Sequence, residues 1–252
     1  MTDCTRKASH NGAVQPCRLR GSGRADPVVL LSILMPCRDE AAAVGQCVDD
    51  ARAFLDRKNL NGEIVVVDNG SVDGSADVAA SHGARVIFES RPGYGAALRK
   101  GLKECLGRVI IFGDCDTTYD FTRLDEIYAL LSSGAFDVVI GDRFAGGVER
   151  GAMPLSHRVG VRMLSVLGRL KTGTEIRDFH CGLRGLTREA ACSLDFRTEG
   201  MEFASEMIAL AAKRGLRIGQ VPVLLRRCEK KRKSKLRAIP DGLRHLRYLL
   251  FR

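Results

Sequence analysis

Asp114 and Asp116 stand one residue apart in Gly113-Asp114-Cys115-Asp116, directly after the apolar run Val109-Ile110-Ile111-Phe112. Two unpaired carboxylates at the end of a buried strand would repel each other and lose hydration. A divalent cation shared with a diphosphate removes that conflict. Hard oxygen donors suit Mg2+ or Mn2+, which keep several waters and complete their shell with substrate phosphates. A D-x-D spacing also arises by chance, so its weight rests on where the chain places it.

Four other loops carry polar residues and glycines in corresponding places. Pro36-Cys37-Arg38-Asp39-Glu40 follows the run Val28–Met35, and Asp68-Asn69-Gly70-Ser71-Val72-Asp73-Gly74-Ser75 follows Glu63–Val67. Arg91-Pro92-Gly93-Tyr94-Gly95 comes after Ala84–Phe88, and Gly141-Asp142-Arg143-Phe144 after Phe136–Ile140. A carboxylate such as Asp39 or Asp68 can accept hydrogen bonds from the N–H edge of a nucleobase. An Asx turn and a helix N-cap are the structural alternative for Asp68 and Asp73, and it weighs more for Asp73 than for Asp68. Gly93 and Gly95 let backbone N–H groups approach an anion at a helix N-terminus, although most such pairs are plain turns. The first turn has no G-x-G-x-x-G and the chain has no Walker A motif, which argues against a dinucleotide cofactor and a P-loop NTPase.

These loops need a frame. Apolar spacing predicts helices over Ala41–Lys58, Ser75–Ser81, Ala96–Leu106 and Thr122–Ser132, with a strand at Arg108–Phe112. Short apolar strands alternating with amphipathic helices make an α/β fold with a parallel central sheet covered on both faces. In such a sheet ligands bind beyond the carboxyl ends of the strands, where all five loops fall. Further on, Pro154–Leu170, Thr187–Leu194 and Phe203–Arg214 read as helices and Leu216–Leu225 as extended chain. A last helix over Ile239–Phe251 would place Ile239, Leu243, Leu246 and Leu250 on one face, flanked by Arg244 and Arg247.

The 252 residues are 45% hydrophobic and 28% charged, which excludes a disordered chain and a fibrous repeat. The longest apolar stretch is far short of the roughly 20 residues a bilayer crossing needs. The polar residues 1–26 read as an unstructured leader without the apolar run of a secretory signal, so a cytoplasmic chain is expected. Nine cysteines, an odd number without a C-x-x-C pair, read as reduced thiols packed as small hydrophobes. Of the net charge of +10, residues 226–252 contribute eleven Lys and Arg against Glu229 and Asp241. That concentration points to a polyanionic partner such as a nucleoside diphosphate, a lipid phosphate or an anionic membrane. Nucleic acid is disfavoured, because Tyr248 and Phe251 are the tail's only aromatic platforms.

The ordered set P-C-R-D-E, V-V-D-N-G-S-V-D-G-S, R-P-G-Y-G-A-A-L, G-D-C-D-T-T-Y, I-G-D-R-F and D-F-H-C-G-L-R-G resembles family 2 glycosyltransferases. It is most similar to the dolichyl- or polyprenyl-phosphate sugar synthases, from about Val28 to Leu250. The resemblance implies a GT-A fold (a Rossmann-like, mostly parallel sheet with helices on both faces) in one catalytic domain over 27–225, followed by a basic tail over 226–252 with an amphipathic helix. It also implies an inverting mechanism, a UDP- or GDP-linked sugar donor and Mg2+ or Mn2+. Carried over by position, Pro36, Arg38, Glu40 and Asp68 line the nucleoside pocket, with Gly93 beside it. Asp114 lies near the ribose and diphosphate, and Asp116 ligates the metal with Asp114. Arg143 and Arg158 hold an acceptor phosphate, Asp178 faces the acceptor, and Lys235 closes over the donor diphosphate. Two positions depart from the family pattern: Asp39, where Asn is usual, and Thr118, where the synthases often place Gln. A soluble hydroxyl acceptor is the alternative, and there Asp178 would have to take the proton. The tail can close over the donor, lie on an anionic membrane, or pack on the core. Glu202 and Glu206 share a helix face and read as structural, as do His157 and His180.

Overall fold

The computed structural model describes residues 28–228 and 238–251. The leader 1–26 and Lys235 lie outside the described residues.

Continuous apolar runs become the strands β1 (Leu31–Cys37), β2 (Gly62–Asp68), β4 (Val109–Phe112) and β5 (Val138–Asp142), nearly all buried. Such runs suit strands covered on both faces. With β3 (Arg85–Phe88), β6 (Arg184–Thr187) and β7 (Ile218–Pro222) they form one sheet of order β3-β2-β1-β4-β6-β5-β7. All pairings are parallel except those of β6, which runs antiparallel between β4 and β5. The expectation of an α/β, mostly parallel sheet is met. The β6 strand is the exception: its sequence, Arg-Gly-Leu-Thr, has no apolar run, and only its two neighbours make it a strand.

Helices α1 (Ala41–Arg57), α2 (Ser75–Ser81), α3 (Tyr94–Glu104) and α4 (Asp125–Ser132) connect the strands of the first half. Helix α1 buries Val44, Cys47, Val48, Ala51, Phe54 and Leu55, the stripe its spacing predicts. Helix α3 starts two residues before the expected Ala96, and α4 three after the expected Thr122. The second half supplies the short α5 (Arg143–Gly146), then α6 (Leu155–Thr172), α7 (Arg188–Ser193), α8 (Phe203–Lys213) and α9 (Ala238–Phe251). Asp142 caps α5 by accepting from the N–H groups of Phe144 (2.9 Å) and Ala145 (3.1 Å).

The face that α9 buries differs from expectation. Asp241, His245 and Leu249 are buried, whereas Leu243 and Leu250 are exposed. The helix packs on α6 and α8 over a partly polar cavity, which it lines with Asp241, Arg244 and His245 as well as Leu243 and Leu246. Among the described residues no helix is long and apolar enough to cross a membrane.

Candidate active site

Strand β1 sits between β2 and β4, so its connections depart in both directions and a crevice opens at the carboxyl ends. A cavity of about 850 Å³ occupies this place. Pro36, Arg38 and Glu40 line it after β1, Asp114 and Asp116 after β4, and Arg143 after β5. Gly93 lines it from the turn before α3. Helices α6 and α9 form the far wall with Met163, Leu164, Leu167, Leu243 and Leu246. Seven of the residues singled out by sequence thus share one chamber, to which α6 and α9 also bring His157, Asp241, Arg244 and His245.

The D-x-D loop is held from several sides. Asp116 accepts a hydrogen bond from the Thr118 N–H at 3.0 Å and another from the Thr118 hydroxyl. Thr117 between them has φ +66°, a left-handed conformation that costs a β-branched residue about 1–3 kcal/mol. Tyr94 at the start of α3 hydrogen-bonds Asp114, whose charge, after burial, pushes the phenol pKa well up. The Tyr119 hydroxyl accepts the Gly182 N–H at 2.9 Å, tying the loop to the C-G-L-R segment. A Cβ on Gly182 would collide with Asp114 Oδ2, so this packing needs glycine. The result is two firmly seated carboxylates on a strained turn, a donor set of hard oxygens that fits Mg2+ or Mn2+. Among the described residues no cluster of three or more His, Cys, Asp or Glu could hold a metal alone.

The first two loops brace each other. Asp39 has φ +48°, and its Oδ1 accepts the Val72 N–H at 2.9 Å while its own N–H donates to Ser71 Oγ at 3.0 Å. Asn and Asp tolerate this conformation best, so Asp39 in place of the usual Asn keeps the loop intact. Asp73 is structural: it accepts from the N–H groups of Ala41 (2.9 Å) and Ser75 (3.0 Å), at the starts of α1 and α2. Asp68 uses Oδ2 for the N–H groups of Gly70 and Ser71, both at 3.2 Å. Its Oδ1 is buried without a hydrogen-bond partner. Asn69, which the sequence reading passed over, donates to the carbonyls of Glu89 and Arg91 and accepts the Gly93 N–H at 2.7 Å. A Cβ on Gly93, at φ +143°, would strike the carbonyl of Glu199. The close approach that requires glycine there is to the 198–200 segment, and its N–H is already engaged by Asn69.

Arg143 and Asp178 form a buried bidentate pair, Nε to Oδ2 at 2.7 Å and Nη2 to Oδ1 at 2.8 Å. Asp178 also accepts the N–H groups of Arg143 and His180, each at 3.2 Å, and is fully buried. Asp178, expected to face the acceptor, spends both oxygens on these bonds and does not line the cavity. Burial works against the Arg143 charge, but Tyr119 and Asp178 outweigh it and hold the guanidinium protonated. Arg158, expected beside the acceptor phosphate, does not line the cavity; its neighbour His157 does. Burial, with the Arg143 charge second, lowers the pKa of His157.

Glu206 proves structural, accepting the N–H groups of Arg197 and Thr198, both at 3.0 Å. At the cavity wall, Ser205 Oγ lies 2.9 Å from His245 Nδ1 and 3.3 Å from His180 Nε2, and both histidines line the cavity. The two imidazoles stand edge to face, 4.4 Å apart. Arg184 is buried beside them and donates to the carbonyls of Phe179, Cys181 and Ala204. Only the motif D-F-H-C-G-L-R signalled this polar cluster.

Residues 32–194 match the family model described as Glycosyl transferase family 2. The chain is 35% identical over 230 residues to a low-salt glycan biosynthesis hexosyltransferase, Agl6, of Haloferax volcanii, covering 91% of this chain and 55% of that protein. It is 31% identical over 212 residues to a dolichyl-phosphate hexose transferase of the same organism, covering 84% and 89%. A third Haloferax relative, glycosyltransferase AglJ, is 33% identical over 61% of its length, so the chain spans less than two thirds of two of these relatives. Among solved structures, glucosyl-3-phosphoglycerate synthase from Mycobacterium tuberculosis with Mg2+ and UDP superposes with a TM-score of 0.70 at 22% identity, over 87% of this chain and 79% of that one. That likeness agrees with the GT-A architecture. With strands β2 to β6, nearly all of β1, the switch point and the D-x-D loop inside the matched residues, this chain belongs to glycosyl transferase family 2.

Proposed function

We propose that the chain transfers a sugar from a UDP- or GDP-linked donor to a polyprenyl or dolichyl phosphate, with Mg2+ or Mn2+ held at Asp116 and Asp114. The observation carrying this reading is that one cavity gathers the Asp114 and Asp116 carboxylates and Arg143 together with apolar side chains of α6 and α9. A phosphate on a long hydrocarbon chain has the same two characters. The relative named a dolichyl-phosphate hexose transferase and the neighbour solved with Mg2+ and UDP support it.

In this reading Pro36, Arg38 and Glu40 border the nucleoside, and the unpartnered Asp68 Oδ1 suits an N–H of its base. Asp114 and Asp116 would hold the cation, which would supply positive charge against the departing diphosphate. The acceptor phosphate is already ionised at neutral pH, so its oxygen attacks the anomeric carbon without a general base. Arg143 orients that phosphate, and Asp178 fixes Arg143. Lys235 is assigned to the donor diphosphate. Supporting this, the Arg226 N–H donates to the Thr118 carbonyl at 2.9 Å and its guanidinium pairs with Asp120, so the basic segment starts beside the metal loop. A hydroxyl acceptor is the second reading, favoured by one feature: His157, with its lowered pKa, is a neutral proton acceptor within the cavity.

Contact with an anionic membrane belongs to the same proposal. Helix α6 exposes Leu155, Val159, Met163, Val166 and Leu170 along one side, interspersed with Arg162, Arg169 and Lys171. An apolar stripe edged with cations suits a headgroup interface. The test is a panel of nucleotide sugars with Mn2+, scored for nucleoside diphosphate release with and without polyprenyl phosphate. Release that depends on the lipid phosphate supports the reading; release driven equally by soluble alcohols overturns the acceptor assignment.

A further inference from the structure

We propose that Cys37 and Cys115 form a dithiol site on the floor of the nucleotide cavity that closes reversibly into a disulfide. The pair lies inside two of the motifs, as the second residue of P-C-R-D-E and the middle of D-C-D. Strands β1 and β4 run parallel with Leu34 opposite Phe112, and the Gly113 N–H continues the ladder to the Leu34 carbonyl at 3.2 Å. Cys37 is the last residue of β1 and Cys115 lies three residues past the end of the neighbouring β4. The two side chains are within hydrogen-bonding reach of each other, and Cys115 Sγ also lies 3.3 Å from the Pro36 carbonyl. Both thiols are only 2% exposed, yet both line the cavity, so a small oxidant entering it meets them together.

The oxidant class is a hydroperoxide. One cysteine sulfur attacks the terminal peroxide oxygen, the O–O bond breaks, an alcohol or water leaves, and a sulfenic acid remains. The second sulfur attacks the first, the S–O bond breaks, and water departs with the remaining thiol proton. In total, two thiols and one hydroperoxide give one disulfide, one alcohol and one water; an external thiol reverses it. Drawing the sulfurs to about 2.05 Å pulls Cys115, and with it Asp114 and Asp116, towards β1. A misplacement of about 1 Å at such a site costs on the order of 10²-fold in rate.

The test is peptide mapping of the full chain after hydrogen peroxide, with alkylation under denaturing conditions. The expected product is a linked peptide pair joining Cys37 to Cys115, two hydrogens lighter, released by dithiothreitol and formed more slowly with UDP and Mn2+ present. The same treatment should lower transfer by the factor above, and dithiothreitol should restore it. Full alkylation of both cysteines after peroxide, or a link from Cys115 to the nearby Cys47, overturns the proposal. The mass readout does not depend on the transferase reading; only nucleotide protection and the rate do, so the two can fail separately. Mapping the unaltered chain decides the matter even where Cys37→Ser does not fold.

Discussion

Both oxygens of Asp178 are gripped by the Arg143 guanidinium, at 2.7 and 2.8 Å, in a place where the carboxylate has no solvent exposure at all. Such a pair fixes a guanidinium in one orientation, which a phosphate-binding arginine requires. Asp178→Asn leaves a buried cation without its counter-charge, and breaking such a pair costs about 3–5 kcal/mol. The expected result is a melting midpoint lowered on the order of 10 °C together with slower transfer, the acidic limb of the rate profile staying where it is. A base role would add one feature to the same loss of stability: the acidic limb of the rate profile would disappear. Thermal unfolding and a pH–rate profile on the same preparation decide between them.

Asp116 is seated by Thr118 and placed next to the strained Thr117, so the carboxylate is preformed. Asp116→Asn keeps the shape and one acceptor oxygen but removes the charge. Transfer should fall on the order of 10²- to 10³-fold, as when a group stabilising transition-state charge is lost. Calorimetry supplies the separate check: UDP affinity of the parent should rise with Mn2+, and that increment should vanish in the variant.

Much of this frame was legible in the sequence, for identifiable reasons. Strands β1, β2, β4 and β5 are apolar throughout because both faces of the sheet are covered, and the loops after them stand out as polar for the same reason. Strand β6 was hidden because its first residue is Arg184, a cation satisfied only by three carbonyls that fold around it. The inward face of α9 was misread because helical periodicity assumes an apolar wall. Here the wall holds Ser205, His180 and Arg184, and Asp241 and His245 turn towards it. Asp178 is named by its motif, but its pairing is not legible there, because the partner Arg143 stands 35 residues away.

The α9 contact should be acid-sensitive. Burial first, and then the Arg184 charge, depress the His245 pKa to about 4, against a small opposing pull from Asp241. His180, facing it, is pushed the same way by burial and by His245. The unfolded chain therefore binds these protons more readily than the folded one. The stability held in the neutral pair is complete above about pH 6.5 and drains away as pH falls towards 4, on the order of 3 kcal/mol for His245. Unfolding midpoints measured across that window should drop steeply in the parent and less in His245→Gln.

Helix α6 offers a test of the acceptor that leaves the fold alone. Leu155 and Leu170 are more than three-quarters exposed or nearly so, at 75% and 79%, so Leu155→Glu with Leu170→Glu removes no core packing, and melting should shift little. If the stripe meets a bilayer, two added carboxylates oppose both its apolar burial and its attraction to anionic lipid. Co-flotation with anionic vesicles should weaken, and transfer to polyprenyl phosphate embedded in those vesicles should fall. Transfer to a short-chain phosphate in solution should stay at the parent rate, because the carboxylates and Arg143 are untouched. Equal loss on both acceptors would put the stripe's effect inside the catalytic domain and remove the membrane from the account.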